Sequence, residues 1–218
     1  MKNKKALYYA LMFLPLLITL IALPLLPEQI PAHYNFSGEI DRWGSKFETL
    51  IFPFATIGMG FFMLWMAKIS AKSEENGNNN EKIIFYTGMG LSVWFTIMHC
   101  WSLYQGFKAA SVPVSSEADI NQLVCVMLGI GIIITGNFMP KLRNNGIIGL
   151  RTPWSMKNDT TWKKCQIFGG ISFIIGGILI VVCGLFIDGL IAMCVALGIL
   201  IACTVVDTVY SYYIAKKY

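Results

Sequence analysis

Charge is what this 218-residue chain has least of: Asp, Glu, Lys and Arg make up 13% of it, about half the ~25% of a soluble domain. A water-facing surface over the whole molecule is thereby excluded. Histidine occurs twice, as His33 and His99, which leaves no H-E-x-x-H pair and no cluster of imidazole ligands. There is no G-x-S-x-G elbow and no phosphate-cradling glycine loop, so no nucleophile, base and oxyanion donors converge. The expectation is a protein that is not an enzyme and needs no cofactor. The six cysteines form no C-x-x-C pair and read as small apolar packing residues rather than disulfides or metal ligands.

What the chain does have is apolar length. Hydrophobic residues are 56% of the total, and a helix needs roughly 20 of them to cross ~30 Å of hydrocarbon. Six segments qualify: Ala6 to Leu26, Leu50 to Ile69, Ile83 to Phe107, Ile120 to Met139, Gln166 to Ile187 and Gly189 to Ala215. The first follows Lys2, Lys4 and Lys5, but its apolar part exceeds the ~7–15 residues of a cleaved signal core and ends at Pro24 rather than at a small-residue cleavage site. It reads as a retained first span.

Basic residues near span ends stay on the cytoplasmic side. With the N-terminus inside, 14 of the 17 Lys and Arg lie on inner segments and 3 (Arg42, Lys46, Lys108) on outer ones. The sequence therefore predicts an all-α, polytopic plasma-membrane protein with six transmembrane helices and both termini cytoplasmic. Its formal charge of +5 reports topology and attraction to membrane lipids rather than direct nucleic-acid binding. The expected organisation is a two-helix unit over 1–69 with an outer loop at 27–49, a flexible cytoplasmic linker at 70–82, and a four-helix domain over 83–218.

The outer loop is expected to be folded. Pro27 and Pro31 stop the first helix, and the alternation Ile30, Ala32, Tyr34, Phe36 predicts an extended stretch before a turn at Ser37–Gly38. Trp43 belongs at headgroup level. His33, Asn35, Glu39 and Asp41 form a polar group there, read as a hydrogen-bonded loop in preference to a metal site.

In span five Gly170, Gly177 and Gly184 recur every seven residues, with Gly169 and Gly176 beside them, predicting a closely packed helix neighbour within the chain. Pro15 and Pro53 are candidate helix breaks. Two ionisable groups fall inside spans, His99 and Asp207; both are expected to be hydrated or hydrogen-bonded structural residues.

The most polar stretch is the cytoplasmic island 140–165, where KLRNNGIIGLRTPWSMKNDTTWKK from Lys141 to Lys164 holds six basic residues and one acid. Asn145–Gly146 is a turn signal, and Ile147 to Leu150 is expected to dip to the membrane surface. Pro153 forces Thr152 out of the helical region, Asn158 or Asp159 caps a helix starting near Thr160, and Trp154 and Trp162 anchor the island at the interface. Arg143 and Arg151 offer planar forks for carboxylate or phosphate.

Two blocks carry a resemblance. The outer LPEQIPAHYNFSGEIDRWGSK resembles a short N-terminal domain of unknown function. The inner GNFMPKLRNNGIIGLRTPWSMKNDTTWKK, with its Asn-Gly turn, Gly-x-Arg-Thr-Pro-Trp core and second tryptophan, resembles the signature of the sporulation-delaying-protein immunity family, the SdpI family. The resemblance implies a multi-pass membrane protein that protects its producer from a secreted peptide toxin, and a receptor that holds a cytoplasmic repressor at the membrane. Carried onto this chain, it makes His33, Asn35, Glu39, Asp41 and Trp43 the toxin-facing residues. Arg143, Asn145, Gly149, Arg151, Thr152, Pro153, Trp154 and Trp162 become the partner platform. The alternative is a small transporter or permease-like protein for a peptide or ion, for which sparse charge at the midplane is unfavourable.

Overall fold

The computed structural model describes residues 2–35, 39–73, 77–109, 120–187 and 189–218. Among the described residues six α-helices carry the chain: α1 Lys2–Ala22, α2 Ile51–Ser73, α3 Gly77–Ala109, α4 Ile120–Phe138, α5 Asp159–Phe186 and α6 Gly189–Lys217. Each contains a run long and apolar enough to cross a bilayer, and the helix satisfies its own backbone inside lipid. Among the described residues the exception to an all-α architecture is one antiparallel hairpin, β1 Gln29–Tyr34 with β2 Ile40–Ser45. The alternation around Ile30 and Tyr34 thus forms a strand as expected, while the turn at Ser37–Gly38 lies outside the described residues. Neither proline breaks a span: α1 runs through Pro15, and Pro53 sits in the first turn of α2, where its missing N–H costs nothing.

The chain forms two compact units. The first, over 1–69 and 84–117, contains α1, the hairpin, α2 and most of α3; a cluster of Ala22, Leu26, Ile30 and Leu103 joins α1, the hairpin and α3. The Tyr8 hydroxyl donates to the Gly60 carbonyl at 3.1 Å. The third helix therefore groups with the first two, whereas the sequence reading assigned it to the second domain. Apolar content alone does not say which helices share a face.

The second unit, over 70–83 and 118–218, contains α4, α5 and α6 together with the 141–158 segment. Residues 77–82, expected within a linker, are helical. Asn79 and Asn80 give the physical reason, because their side chains hydrogen-bond the backbone of Lys141 (2.9 Å) and Arg143 (3.4 and 3.5 Å). A polar run that looks unstructured by composition is recruited by tertiary contacts.

Helix α5 supplies the predicted glycine face, and its neighbour is α4. A Cβ on Gly177 would lie 2.6 Å from the Gly129 carbonyl oxygen, and one on Gly170 would lie 2.7 Å from that of Gly136. Gly184 meets Cys125 in the same way. Gly129 and Gly136 share the seven-residue spacing of the glycines opposite, so the two backbones touch along a matched seam. Helix α6 buries a narrow face of Ala192, Ala196, Asp207, Ser211 and Ala215, spaced mostly four apart. Its exposed Ile191, Leu197, Ile201, Val205 and Val209 form a surface suited to lipid.

Candidate functional site

Two polar constructions stand out, one in each unit. The first is the hairpin. Its cross-strand register puts His33 opposite Arg42 and Tyr34 opposite Ile40, so side chains from both strands meet. His33 Nδ1 lies 2.6 Å from Asp41 Oδ1. The Asn35 side chain donates to Glu39 Oε2 and accepts from the Glu39 N–H, both at 2.9 Å. The four residues singled out as a polar group are thus two hydrogen-bonded pairs.

Arg42 makes a two-pronged ion pair with Glu48 (2.9 and 3.2 Å), and this hydrogen bond pushes the Arg42 guanidinium further above its usual range. Lys46 holds Glu28 at 2.9 Å, tying the strand ends together. Trp43 is 47% exposed and projects an amphipathic ring. Tyr34, by contrast, packs its ring at a tilt against Trp101, centroids 5.7 Å apart, and burial pushes its phenol up.

The second construction is the 141–158 segment, whose backbone is held by four polar side chains. Asn145 uses its whole amide: Oδ1 accepts from the N–H of Ile147 and Ile148 (2.8 and 2.7 Å), and Nδ2 donates to the carbonyls of Arg143 and Ile148 (2.7 and 3.1 Å). Gln166, fully buried on α5, pairs with both backbone groups of Leu150 at 3.0 Å, imitating the partner strand of a ladder. Ser155 Oγ donates to Leu150 O (2.7 Å) and accepts from Thr152 N–H (2.9 Å). Thr152 Oγ1 meets Ser211 Oγ on α6 at 2.9 Å.

Gly149 has φ +113°, and a Cβ there would approach Gln166 Oε1 to 2.8 Å, so glycine is required both conformationally and sterically. Asn158 caps α5 in a reciprocal box with Thr161 (2.9 and 3.1 Å). Of the two residues considered for that cap, Asn158 fills it.

Trp162 departs from its expected role. It is 2% exposed and packs with Ile83, Met139 and Leu142, while its indole N–H donates to the Leu142 carbonyl at 3.0 Å. It is a core staple, because the capped start of α5 turns it inward. Ile148 and Leu150 lie against the same cluster, so this part of the apolar run folds onto the bundle end. The exposed residues of this segment include Arg143, Arg151, Pro153 and Trp154, with Trp154 edge-on to Tyr212 at 5.3 Å. Arg151 gives one N–H to Ile147 O at 3.4 Å.

Sequence reasoning missed Gln166, Ser155, Ser211 and the Asn79–Asn80 pair. A signal existed for Gln166, a large amide at the mouth of an apolar span, but its partner is a backbone sixteen residues upstream.

Inside the spans the two ionisable residues differ. His99 is fully buried, with Nε2 2.7 Å from Thr19 Oγ1. The Thr19 hydroxyl spends its one proton on Pro15 O (2.7 Å), so Nε2 must be the donor and Nδ1 carries the lone pair, which has no donor facing it. Thr19→Val strands that N–H and is expected to cost about 1 kcal/mol, whereas Thr19→Ser restores it; thermal unfolding of the two variants in detergent measures the difference. Asp207 is also fully buried, but neither oxygen has a hydrogen-bond partner. Ser172 interacts with it without reaching hydrogen-bond geometry. His99 is thus hydrogen-bonded to Thr19, whereas the Asp207 carboxyl is enclosed without a hydrogen-bond partner.

Comparison with known proteins bears on both constructions. Residues 141–211, which include the loop and the helices that hold it, match the model of the SdpI/YfhL protein family. Residues 10–57, spanning α1 to the start of α2 with the hairpin between, match a domain of unknown function, DUF1648. The immunity protein SdpI of Bacillus subtilis (strain 168) is 26% identical over 204 residues, covering 94% of this chain and 92% of that protein. No solved structure matches. The signature loop, the N-terminal segment and nearly the full length thus agree, and this six-helix, multi-pass bacterial membrane protein resembles the SdpI/YfhL family.

Proposed function

We propose that the protein is a membrane immunity protein that acts by binding rather than by catalysis, protecting the cell against a secreted peptide toxin. The observation that carries this reading is the likeness to a protein named for immunity along 94% of the chain. Both termini and the 141–164 segment face the cytoplasm in this reading, as the distribution of basic residues favours. The hairpin faces outward and meets the toxin through His33, Asn35, Glu39, Asp41 and Trp43. The loop, with Arg143, Arg151 and Trp154 exposed on a backbone locked by Asn145, Gly149 and Thr152, recruits a soluble repressor.

Two features support the division of labour. A guanidinium on a fixed backbone is a preorganised partner for a carboxylate, and the hairpin offers paired polar groups beside an exposed tryptophan. Neither platform needs to move to bind, but signalling needs a toxin that distinguishes two arrangements of the helices.

Expression in a toxin-sensitive cell is expected to confer survival. Replacing both His33 and Asp41 by Ala is expected to lower that protection with little loss of stability, since an exposed pair is worth about 0–1 kcal/mol. Arg151→Ala is expected to leave membrane insertion intact and to abolish recruitment of the repressor to the membrane fraction. Normal recruitment by Arg151→Ala removes the platform assignment, and unprotected cells with correctly inserted protein remove the immunity reading.

A further inference from the structure

Asp207 is a carboxyl group without the surroundings a carboxylate needs. It sits on the buried face of α6, fully enclosed, and neither oxygen is in hydrogen-bond geometry with a donor, Ser172 being the hydroxyl that interacts with it. The groups facing it are neutral: Gly169 on α5, where a Cβ would lie 3.4 Å from Oδ2, and Cys165 and Ser172 on the same helix. Met139, from the turn after α4, closes over Gly169. Helix α4 carries no charged residue. Ser211, one turn further along α6, is neutral, as is Thr152 above it. Lys163, Lys216 and Lys217 are exposed, Lys164 lies over the Tyr218 ring, and among the described residues no ion pair involves Asp207. Cys165 is thus the one other titratable group at the site. An ionised carboxylate left unpaired in such a place costs several kcal/mol and takes up a proton instead.

We propose that Asp207 is a proton-binding site of the second unit, a carboxylic acid kept neutral between α5 and α6, and that the order of the 142–155 loop depends on that proton. The dependence comes from shared supports. Gln166, which pairs with Leu150, is next to Cys165 on α5. Ser211, which bonds Thr152, is one turn from Asp207 on α6. A charge appearing between the two helices draws in water or parts them at Gly169, and the loop hangs from the same two turns. The inference is independent of the immunity reading, since it concerns only what the buried acid does to the loop.

The test uses the full-length chain in lipid nanodiscs. At neutral pH the infrared spectrum is expected to contain the carbonyl stretch of a protonated carboxylic acid that Asp207→Asn lacks. Dicyclohexylcarbodiimide is expected to label Asp207, located by mass spectrometry. In that reaction the acid O–H adds across one C=N bond and the O-acylisourea rearranges to an N-acylurea, with no leaving group.

The sign of the pH effect follows from proton counting. The folded unit holds a proton that its opened form releases, so raising pH favours opening, by up to about tenfold per unit for one proton. Amide exchange at Leu150 and Thr152, taken relative to Asp207→Asn at the same pH, is expected to quicken accordingly. Absence of the acid band at neutral pH, or labelling that spares Asp207, overturns the proposal, and both are read on the unsubstituted chain if Asp207→Asn does not fold. An acid band without any pH-dependent difference in loop exchange overturns the link to the loop.

Discussion

Gly177→Leu is expected to abolish recovery of folded protein, and Gly177→Ala to destabilise it by about 1–3 kcal/mol. A Cβ at this position would come 2.6 Å from the Gly129 carbonyl oxygen, 2.7 Å from Ile133 Cγ1 and 3.0 Å from the Ile133 nitrogen. Two of these are backbone atoms of α4, which cannot rotate away, so the helices must separate. Separation breaks the matching contact at Gly136 and Gly170, because both lie on the same rigid seam. In lipid the loss is severe, since helix association there depends on close packing rather than on expulsion of water.

Gly131, on α4, is the internal control. A Cβ there meets nothing within 4 Å, so Gly131→Ala is expected to be neutral or to gain up to about 1 kcal/mol of helix propensity. Thermal unfolding midpoints in detergent, with folded yield by size exclusion, compare the two. Equal midpoints for Gly177→Ala and Gly131→Ala would show that the seam carries no weight.

The second large effect concerns Asn145, with a different signature: loss of one loop from an intact bundle. Asn145→Ala deletes four hydrogen bonds to backbone groups of Arg143, Ile147 and Ile148, and each enclosed group left without a partner costs about 1–3 kcal/mol. Asn145→Asp separates the two halves of the amide. It keeps both bonds from the Ile147 and Ile148 N–H groups but turns an oxygen toward the Arg143 and Ile148 carbonyls, where repulsion replaces donation. Both variants are expected to retain their helical circular dichroism. Tryptic cleavage after Arg143 and Arg151 is expected to accelerate by roughly 5–30-fold, the population shift that 1–2 kcal/mol of local stability represents. Unchanged cleavage in Asn145→Ala would mean that the loop is held by its apolar contacts alone.

These two sites differ in how they could be read. The seven-residue glycine spacing in α5 announces a close neighbour, but α4 becomes identifiable only when Gly129 and Gly136 are seen to face it. Asn145–Gly146 announces a turn, but a turn signal does not say that the amide is used four times over. Trp162 illustrates the limit from the other side. Its composition and position suited an interfacial anchor, and the Asn158–Thr161 box instead rotates it into the cluster with Leu142 and Met139. The 77–82 stretch is a further case, polar enough to suggest a linker yet helical because its asparagines find carbonyls at Lys141 and Arg143.

By itself the sequence determined the number of spans, their limits to within about seven residues, an extended stretch around Ile30 to Tyr34, and the family likeness of the 141–164 segment. All of these depend on runs of residues adjacent along the chain, and transfer into lipid is a property of such runs. Which helices share a face, which backbone Gln166 satisfies, and that Asp207 is enclosed without a donor were decided only by tertiary structure. Those facts depend on groups far apart in sequence that meet because two helices close on each other, and no local pattern encodes what the opposite helix will present.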